Sequence, residues 1–301
     1  MNFEVWPEAM ELGEMFAAEG FELALVGGPV RDLLLHRRSH DLDFCTSARP
    51  EQFEPILRKF GRDGFWDMGR KFGTLGAMRR RADGTEVQVE VTTYRTDAYN
   101  PDSRKPEVAY GDTLEGDLSR RDFTVNAMAL RVPELEFVDP FGGANDLAKG
   151  VLRTPVDPRQ SFDDDPLRMM RAVRFVAQLG FSIEPETAEA MYDMTDRIRI
   201  VSAERVRDEL VKTLLSDRPR AGIEALVESG LADIVFPEIP ALELQIDEHH
   251  RHKDVFEHTM IVLDRAVALE TDDDGPVPRP DLTLRLAALM HDIGNPKPRR
   301  F

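Results

Sequence analysis

Two hydrophobic spacings alternate along the chain. Over residues 5–19, VWPEAMELGEMFAAE, apolar positions recur at helical intervals and Gly20 ends the run. The following FELALV reads as a short strand running into Gly27-Gly28, after which Leu33 to Leu35 fall in a short helix. DLDF reads as a second strand, with Asp41 and Asp43 on one side and Leu42 turned into the core, because alternate strand residues share a face. ARPEQFEPILRKFG predicts a helix that stops at Gly61, and MGRKFGTLGAMRRRADGTEVQVEVTTYR predicts a hairpin turning around Ala82-Asp83-Gly84. Within EVQVEVTTY the alternation places Glu86, Gln88 and Glu90 on one face. Strands and helices are mixed to about residue 140. From about Asp157 the pattern turns helical, and TDDDGPVPRP at 271–280 reads as an acidic, Pro-rich surface loop between helices. The expected class is α+β, with a mixed first part and an all-α remainder.

Composition narrows the function classes. At 301 residues the chain exceeds one small core and divides most naturally into two or three domains. No window approaches the roughly 18 unbroken apolar residues of a membrane span. The N-terminus carries acids before any base, unlike a secretory signal. The single cysteine, Cys45, cannot form an internal disulfide and suits a cytoplasmic protein. A net charge of −17 argues against non-specific coating of nucleic acid. Arginines nevertheless cluster locally, as at Arg120-Arg121 and at Arg168, Arg171 and Arg174, so a basic groove on an acidic molecule is compatible with the composition.

Three stretches could carry chemistry. In LVGGPVRDLLLHRRSHDLDF, a glycine turn at a strand-to-helix junction offers bare backbone N–H groups to a phosphate, and Arg31 adds a positive fork. Asp41 and Asp43 nearby suit a two-metal phosphoryl or nucleotidyl transfer. Glu90 is a candidate third carboxylate, and an exposed hairpin residue is the plainer alternative. In RRDFTVNAMAL, Asp122 could cap a helix start; the functional alternative has Arg120 and Arg121 meeting a triphosphate while Asp122 and Asn126 hold ribose or backbone. In DDPLRMMRAVRFVAQLGF, Asp164 and Asp165 before Pro166 suit a helix N-terminus. Leu167, Met170, Val173, Val176 and Ala177 form an apolar stripe, with Arg168, Arg171 and Arg174 on another face. Asp165 and Arg168, three apart, together offer the acceptor and donors that the Watson–Crick edge of cytosine or adenine requires.

GGPVRD with DLD, RRDFTVNAM, DPFGGANDL, DDPLRMMRAVRF and SAERVRDELVKTLL stand in the order found in one family. By these motifs the chain resembles the class II transfer-RNA nucleotidyltransferases, or CCA-adding enzymes, and the bacterial poly(A) polymerases, over most of residues 21–215. The resemblance implies a polymerase-β-like nucleotidyltransferase head (1–155), a helical neck and body (156–240) and the start of an HD-type helical domain (241–301). It implies Mg²⁺ on Asp41 and Asp43 with Glu90 as a further catalytic carboxylate, and the triphosphate on Gly27, Gly28 and Arg31. The nucleotide falls to Arg120, Arg121, Asp122 and Asn126, the base to Asp165 and Arg168, with Arg171 and Arg174 beside them. DPFGG at 139–143 resembles the hinge between head and neck. Asp164 stands where the family more often has glutamate.

Five of the seven histidines, His249, His250, His252, His258 and His291, fall near the end of the chain. LAALMHDIGNPKP resembles an HD phosphohydrolase segment, which implies a possible second divalent metal on His258, His291 and Asp292. That set calls for a later aspartate, which this chain does not carry, and Asn295 replaces the lysine common after HDIG, so the HD part is expected to be truncated. The leading expectation is a template-independent enzyme adding CMP and AMP from CTP and ATP to the 3′ end of tRNA, with no membrane partner. A poly(A) polymerase or a CC- or A-adding enzyme is the alternative within the family. From other classes come an HD phosphohydrolase and a tRNA-binding module without catalysis.

Overall fold

The computed structural model describes residues 3–37, 41–98, 107–111, 113–242, 255–270 and 280–293; most of the expected loop at 271–280 lies outside them. The chain divides into two compact units, Met1–Lys149 with Arg153–Val156, and Gly150–Leu152 with Asp157–Phe301.

The first unit runs α1 (Pro7–Ala18), β1 (Leu23–Val26), α2 (Gly28–Leu34), β2 (Asp41–Thr46), α3 (Pro50–Phe60), β3 (Gly64–Trp66), β4 (Thr74–Arg80), β5 (Glu86–Thr93), β6 (Arg95–Ala98), β7 (Glu107–Tyr110), α4 (Leu114–Ser119), β8 (Ala129–Arg131), β9 (Glu136–Val138) and α5 (Gly143–Lys149). Seven strands form one sheet in the order β3-β4-β5-β2-β1-β8-β9. Only β2 and β5 pair in parallel within it. On one face Leu42, Phe44, Leu75, Ala77, Val87, Val89 and Val91 are buried. Helices α1 and α3 pack there, their Phe16 and Phe53 rings 6.0 Å apart. On the other face Ala24, Val26, Cys45, Tyr94, Leu114, Leu118, Ala127 and Ala129 form a second core that includes α4. Asp41, Asp43, Glu86, Gln88 and Glu90 alternate outward beyond it. Among the described residues, one face is thus closed by helices and the other only in part, leaving a stretch of polar strand open.

RRDFTVNAMAL forms no helix. Thr124–Asn126 make a single 3₁₀ turn, and the apolar residues after it become β8, paired with β1. Asp122 turns its carboxylate to its neighbour's backbone and to Asn126 instead of capping a helix: Oδ1 accepts from Phe123 N at 2.8 Å and from Asn126 Nδ2 at 3.0 Å.

The second unit holds a two-residue parallel pair, β10 (Val151–Leu152) with β11 (Ser182–Ile183), and helices α6 (Pro158–Asp164), α7 (Leu167–Leu179), α8 (Pro185–Asp193), α9 (Ala203–Leu214), α10 (Pro219–Glu228), α11 (Ala232–Val235), α12 (Val255–Leu269) and α13 (Leu282–Met290). Asp164 ends α6 instead of starting α7, while Asp165 Oδ1 accepts from Leu167 N at 3.2 Å, so only the second acid serves that helix start. The arginine side of α7 is not a solvated face. Helices α6, α9 and α10 surround α7, so Arg168 is buried beside the apolar stripe, and Arg174 meets Glu209 of α9 at 3.0 Å. A helix enclosed on several sides must bury its polar positions, and these are paired within the unit.

Leu214, Ile223, Leu242, Met260, Leu263 and Leu289 belong to one apolar cluster, so α9 and α10 share a core with α12 and α13. Through it runs a fully buried ion pair: Arg285 of α13 donates from Nε and Nη2 to Glu270 at 2.7 and 2.6 Å. Its Nη1 donates to the carbonyls of Leu214 and Ser216 at 2.5 and 2.6 Å. Removing one partner leaves a carboxylate stranded in the core. Arg285→Met is expected to cost about 3–5 kcal/mol, read as a lower urea midpoint, and Arg285→Met/Glu270→Leu to recover part of that loss.

Candidate active site

The site begins with strand register. In the parallel pair, Asp43 of β2 stands opposite Glu90 of β5 and Asp41 opposite Gln88, so strands roughly 4.8 Å apart bring two carboxylates side by side on the open face. Asp41 follows two residues before Asp43 on the same side, with Leu42 buried between them. Asp43 opens to solvent through the mouth of a cleft yet is ringed by protein. Loss of surrounding water raises its carboxyl above the ordinary aspartate value; Arg121 opposes the shift, and the like charges of Glu90 and Asp41 add to it.

The cleft has a volume of about 210 Å³ and is lined by Val26, Asp43, Phe44, Glu90, Thr92, Arg95, Asp117, Arg120 and Arg121. Acids and arginines therefore meet at one place. Arg121 donates to Asp117 at 3.1 Å, and Asp117 also accepts from the backbone N of Arg95 at 3.2 Å. Burial works against the charge on Arg121, but Asp117 and, more weakly, Asp43 outweigh it, holding the guanidinium more firmly protonated than usual. Its Nε is buried without a hydrogen-bond partner, a donor left over for an incoming acceptor.

Gly27 adjoins this arginine. Its φ is +71°, and a Cβ there would lie 2.9 Å from Arg121 Nη1, so both conformation and space call for glycine. Gly28 opens α2, and a Cβ there would meet Arg31 at 3.7 Å. Arg31 donates from Nη1 to Asn126 Oδ1 at 2.8 Å and from Nε to Asp32 at 2.9 Å. Asn126 in turn donates to Asp122, so the second motif is tied to the first across the sequence. The expected residues of the first unit thus gather in two linked groups: Asp43, Glu90, Arg120 and Arg121 in the cleft with Gly27 against it, and Arg31, Asn126 and Asp122 in a hydrogen-bonded chain. Thr92, Arg95 and Asp117 also line the cleft, and no motif points to them. Thr92 lies two residues beyond Glu90, so strand alternation alone places it on this face. Asp117 sits four residues before Arg121, a spacing that signals a pair.

The helical unit holds the other candidates. Arg168 Nη1 donates to the carbonyl and hydroxyl of Ser161 at 3.3 and 2.7 Å. Asp165 Oδ2 lies 3.4 Å from Arg205. Arg171 and Arg174 both lie over the ring of Phe175, 5.8 and 4.6 Å from its centroid. Farther along, ligand atoms of His258, His291 and Asp292 lie within 4.8 Å of one another. His291 Nε2 is 3.0 Å and His258 Nε2 3.9 Å from Asp292 Oδ2. The carbonyl of Ala288, 2.7 Å from His291 Nδ1, can only accept, so Nδ1 is the donor there, and Nε2 is the ring atom that faces Asp292. His249, His250, His252 and Asn295 lie outside the described residues. No helix among the described residues is long and apolar enough to cross a membrane.

Residues 23–153 match the poly(A) polymerase head domain, and residues 180–242 the region described as the probable RNA- and SrmB-binding site of polymerase A. The CCA-adding enzyme of Lactobacillus johnsonii is 38% identical over 77% of this chain and 56% of its own length. The crystal structure of the Bacillus stearothermophilus CCA-adding enzyme in complex with CTP matches with a TM-score of 0.66 at 36% identity, covering 75% of this chain and 53% of that one. The Thermotoga maritima CCA-adding enzyme complexed with tRNA_CCA matches with a TM-score of 0.71 at 26% identity, covering 95% and 63%. The chain spans just over half the length of the curated relatives it matches. The first unit has the expected polymerase-β-like nucleotidyltransferase fold, in an α+β chain. In sequence and in fold alike, the chain belongs to the poly(A) polymerase head-domain family, in which the CCA-adding enzymes stand.

Proposed function

We propose that this chain adds CMP and AMP from CTP and ATP to the 3′ end of tRNA. The observation that carries this reading is the meeting of Asp43 and Glu90 with Arg120 and Arg121 in one cleft, beside the Gly27 turn. Relatives named CCA-adding enzymes, one of them in complex with CTP and another with tRNA_CCA, support the choice of substrates. A cytoplasmic location goes with that substrate set.

In this mechanism the terminal ribose hydroxyl attacks the α-phosphate, the bond from that phosphorus to the bridging oxygen breaks, and pyrophosphate leaves. The crowding of Asp41, Asp43 and Glu90 on one strand face, marked by the raised Asp43 carboxyl, fits divalent cations, which hard carboxylate oxygens hold. Bound there, Mg²⁺ would acidify the attacking hydroxyl and neutralise charge on the triphosphate. Arg120 and Arg121 take the charge developing on the phosphates, with the spare Nε–H of Arg121 as a donor. The Gly27-Gly28 turn lets the triphosphate approach the backbone, and the Arg31–Asn126–Asp122 chain fixes the nucleotide's remaining polar groups.

A second reading concerns His258, His291 and Asp292. With Nδ1 of His291 donating to a carbonyl, Nε2 is oriented as metal-bound histidines are. We infer that the trio can hold a divalent cation, short of the later aspartate that a complete HD-type hydrolytic site would add.

Incubation with Mg²⁺ and a tRNA lacking its CCA end tests the main reading. The expected outcome is growth by two nucleotides with CTP and by one more with ATP, reduced on the order of a thousandfold in Asp41→Ala/Asp43→Ala. A long ladder with ATP alone would make the enzyme a poly(A) polymerase, and undiminished extension by the double variant would remove the assignment. Stability offers an independent check. A carboxyl held above its unfolded value of about 3.8 binds its proton more tightly when folded. It therefore opposes folding once ionised: the penalty is absent below that value and complete above the folded one. Without metal, Asp43→Asn is expected to raise the melting temperature at neutral pH, with the gain fading as pH falls toward 4, as calorimetry would show.

A further inference from the structure

One cross-strand row runs beyond the two carboxylates. Asp43 of β2 pairs with Glu90 of β5, Glu90 with Gly76 of β4, and Gly76 with Trp66 of β3. Directly opposed residues share a sheet face, so Trp66 stands on the same face as the acids, two strands from Glu90. The residue between them is bare. A Cβ on Gly76 would lie 2.0 Å from Trp66 Cε2 and 2.2 Å from Nε1, so the indole lies across the glycine backbone. A glycine inside a strand weakens it, and this one has no positive φ to explain it. The space it leaves is what admits the ring. Across that gap Trp66 Nε1 reaches toward Glu90 Oε1 at 3.4 Å, a long and solvent-exposed contact that a small side-chain movement would tighten.

An indole N–H suits this place for a chemical reason. It donates once, accepts nothing and carries no charge. Arginine or lysine here would hold the carboxylate too, but would cancel the negative charge that a cation needs; an indole N–H can meet Glu90 and leave the charge in place.

We propose that Trp66 is a positioning residue: laid across Gly76, its N–H orients the Glu90 carboxylate beside Asp43 so that the row can hold a divalent cation. This rests on the nucleotidyl-transfer reading of the cleft. Trp66→Phe keeps a ring over Gly76 and removes only the donor, whereas Gly76→Ala displaces the ring.

The test measures the Mg²⁺ concentration for half-maximal addition of CMP to tRNA lacking its CCA end, with the KM for CTP and the melting temperature recorded alongside. Trp66→Phe and Gly76→Ala are each expected to raise the Mg²⁺ requirement about tenfold, as loss of a group that orients a metal ligand does. For Trp66→Phe the KM and melting temperature should stay near those of the parent. Trp66→Phe should add nothing to Glu90→Gln. A second readout needs no turnover. In a Trp6→Phe background Trp66 is the sole tryptophan, and Mn²⁺ should quench its emission, with the quenching lost in Asp43→Asn. An unchanged Mg²⁺ requirement in Trp66→Phe, an effect undiminished in Glu90→Gln, or absence of Mn²⁺ quenching would each overturn the positioning role. Failure of the underlying reading looks different: Asp41→Ala/Asp43→Ala would then still extend tRNA.

Discussion

The parallel pairing of β2 with β5 is the constraint from which the rest of the first unit follows. Every other contact in the seven-stranded sheet is antiparallel, and this one register sets Asp43 against Glu90. Like charges side by side repel, and the partial loss of water around Asp43 makes its ionised form dearer still. Such a pairing is held by the sheet in spite of its electrostatics. The cost is borne by the apolar face beneath, where Leu42, Phe44, Val89 and Val91 pack under α1 and α3, so a shift of one residue would bury the acids and expose the core.

The surrounding charges make sense around that concentration of negative potential. Arg121 is drawn toward Asp43 but committed to Asp117, which also fastens the start of β6 through Arg95 N. Asp117 therefore keeps the arginine in the wall of the cleft and away from a neutralising contact with the acids. Arg31 is held similarly, between Asp32 and Asn126, and the latter is anchored by Asp122. The cationic groups are placed before any phosphate arrives, which is the economy of a preorganised site.

How much of this was legible before the structure depends on how local the signal is. Asp41, Asp43 and Glu90 fall on one face because alternation in a strand is a two-residue rule, and the glycine turn is visible in its own residues. Asp122 was open to two readings, since a helix cap and a nucleotide contact use the same acid; the short turn and β8 remove the cap. The burial of Arg168 and Arg174 depends on α6, α9 and α10, whose approach to α7 is set by tertiary packing that periodicity within one helix does not encode. Gly76 shows the same limit: only the register of three strands reveals that its missing side chain makes room for Trp66.

The central claim is that nucleotide occupies the open face of the first unit. Hydrogen–deuterium exchange of the whole chain, with and without CTP and Mg²⁺, tests it most directly. The account predicts slowed exchange at the Gly27-Gly28 turn, along residues 41–45 and around Arg120 to Asn126, with the protection lost when CTP is omitted. Unchanged exchange in those segments at saturating CTP, or protection confined to the helical unit, would contradict it.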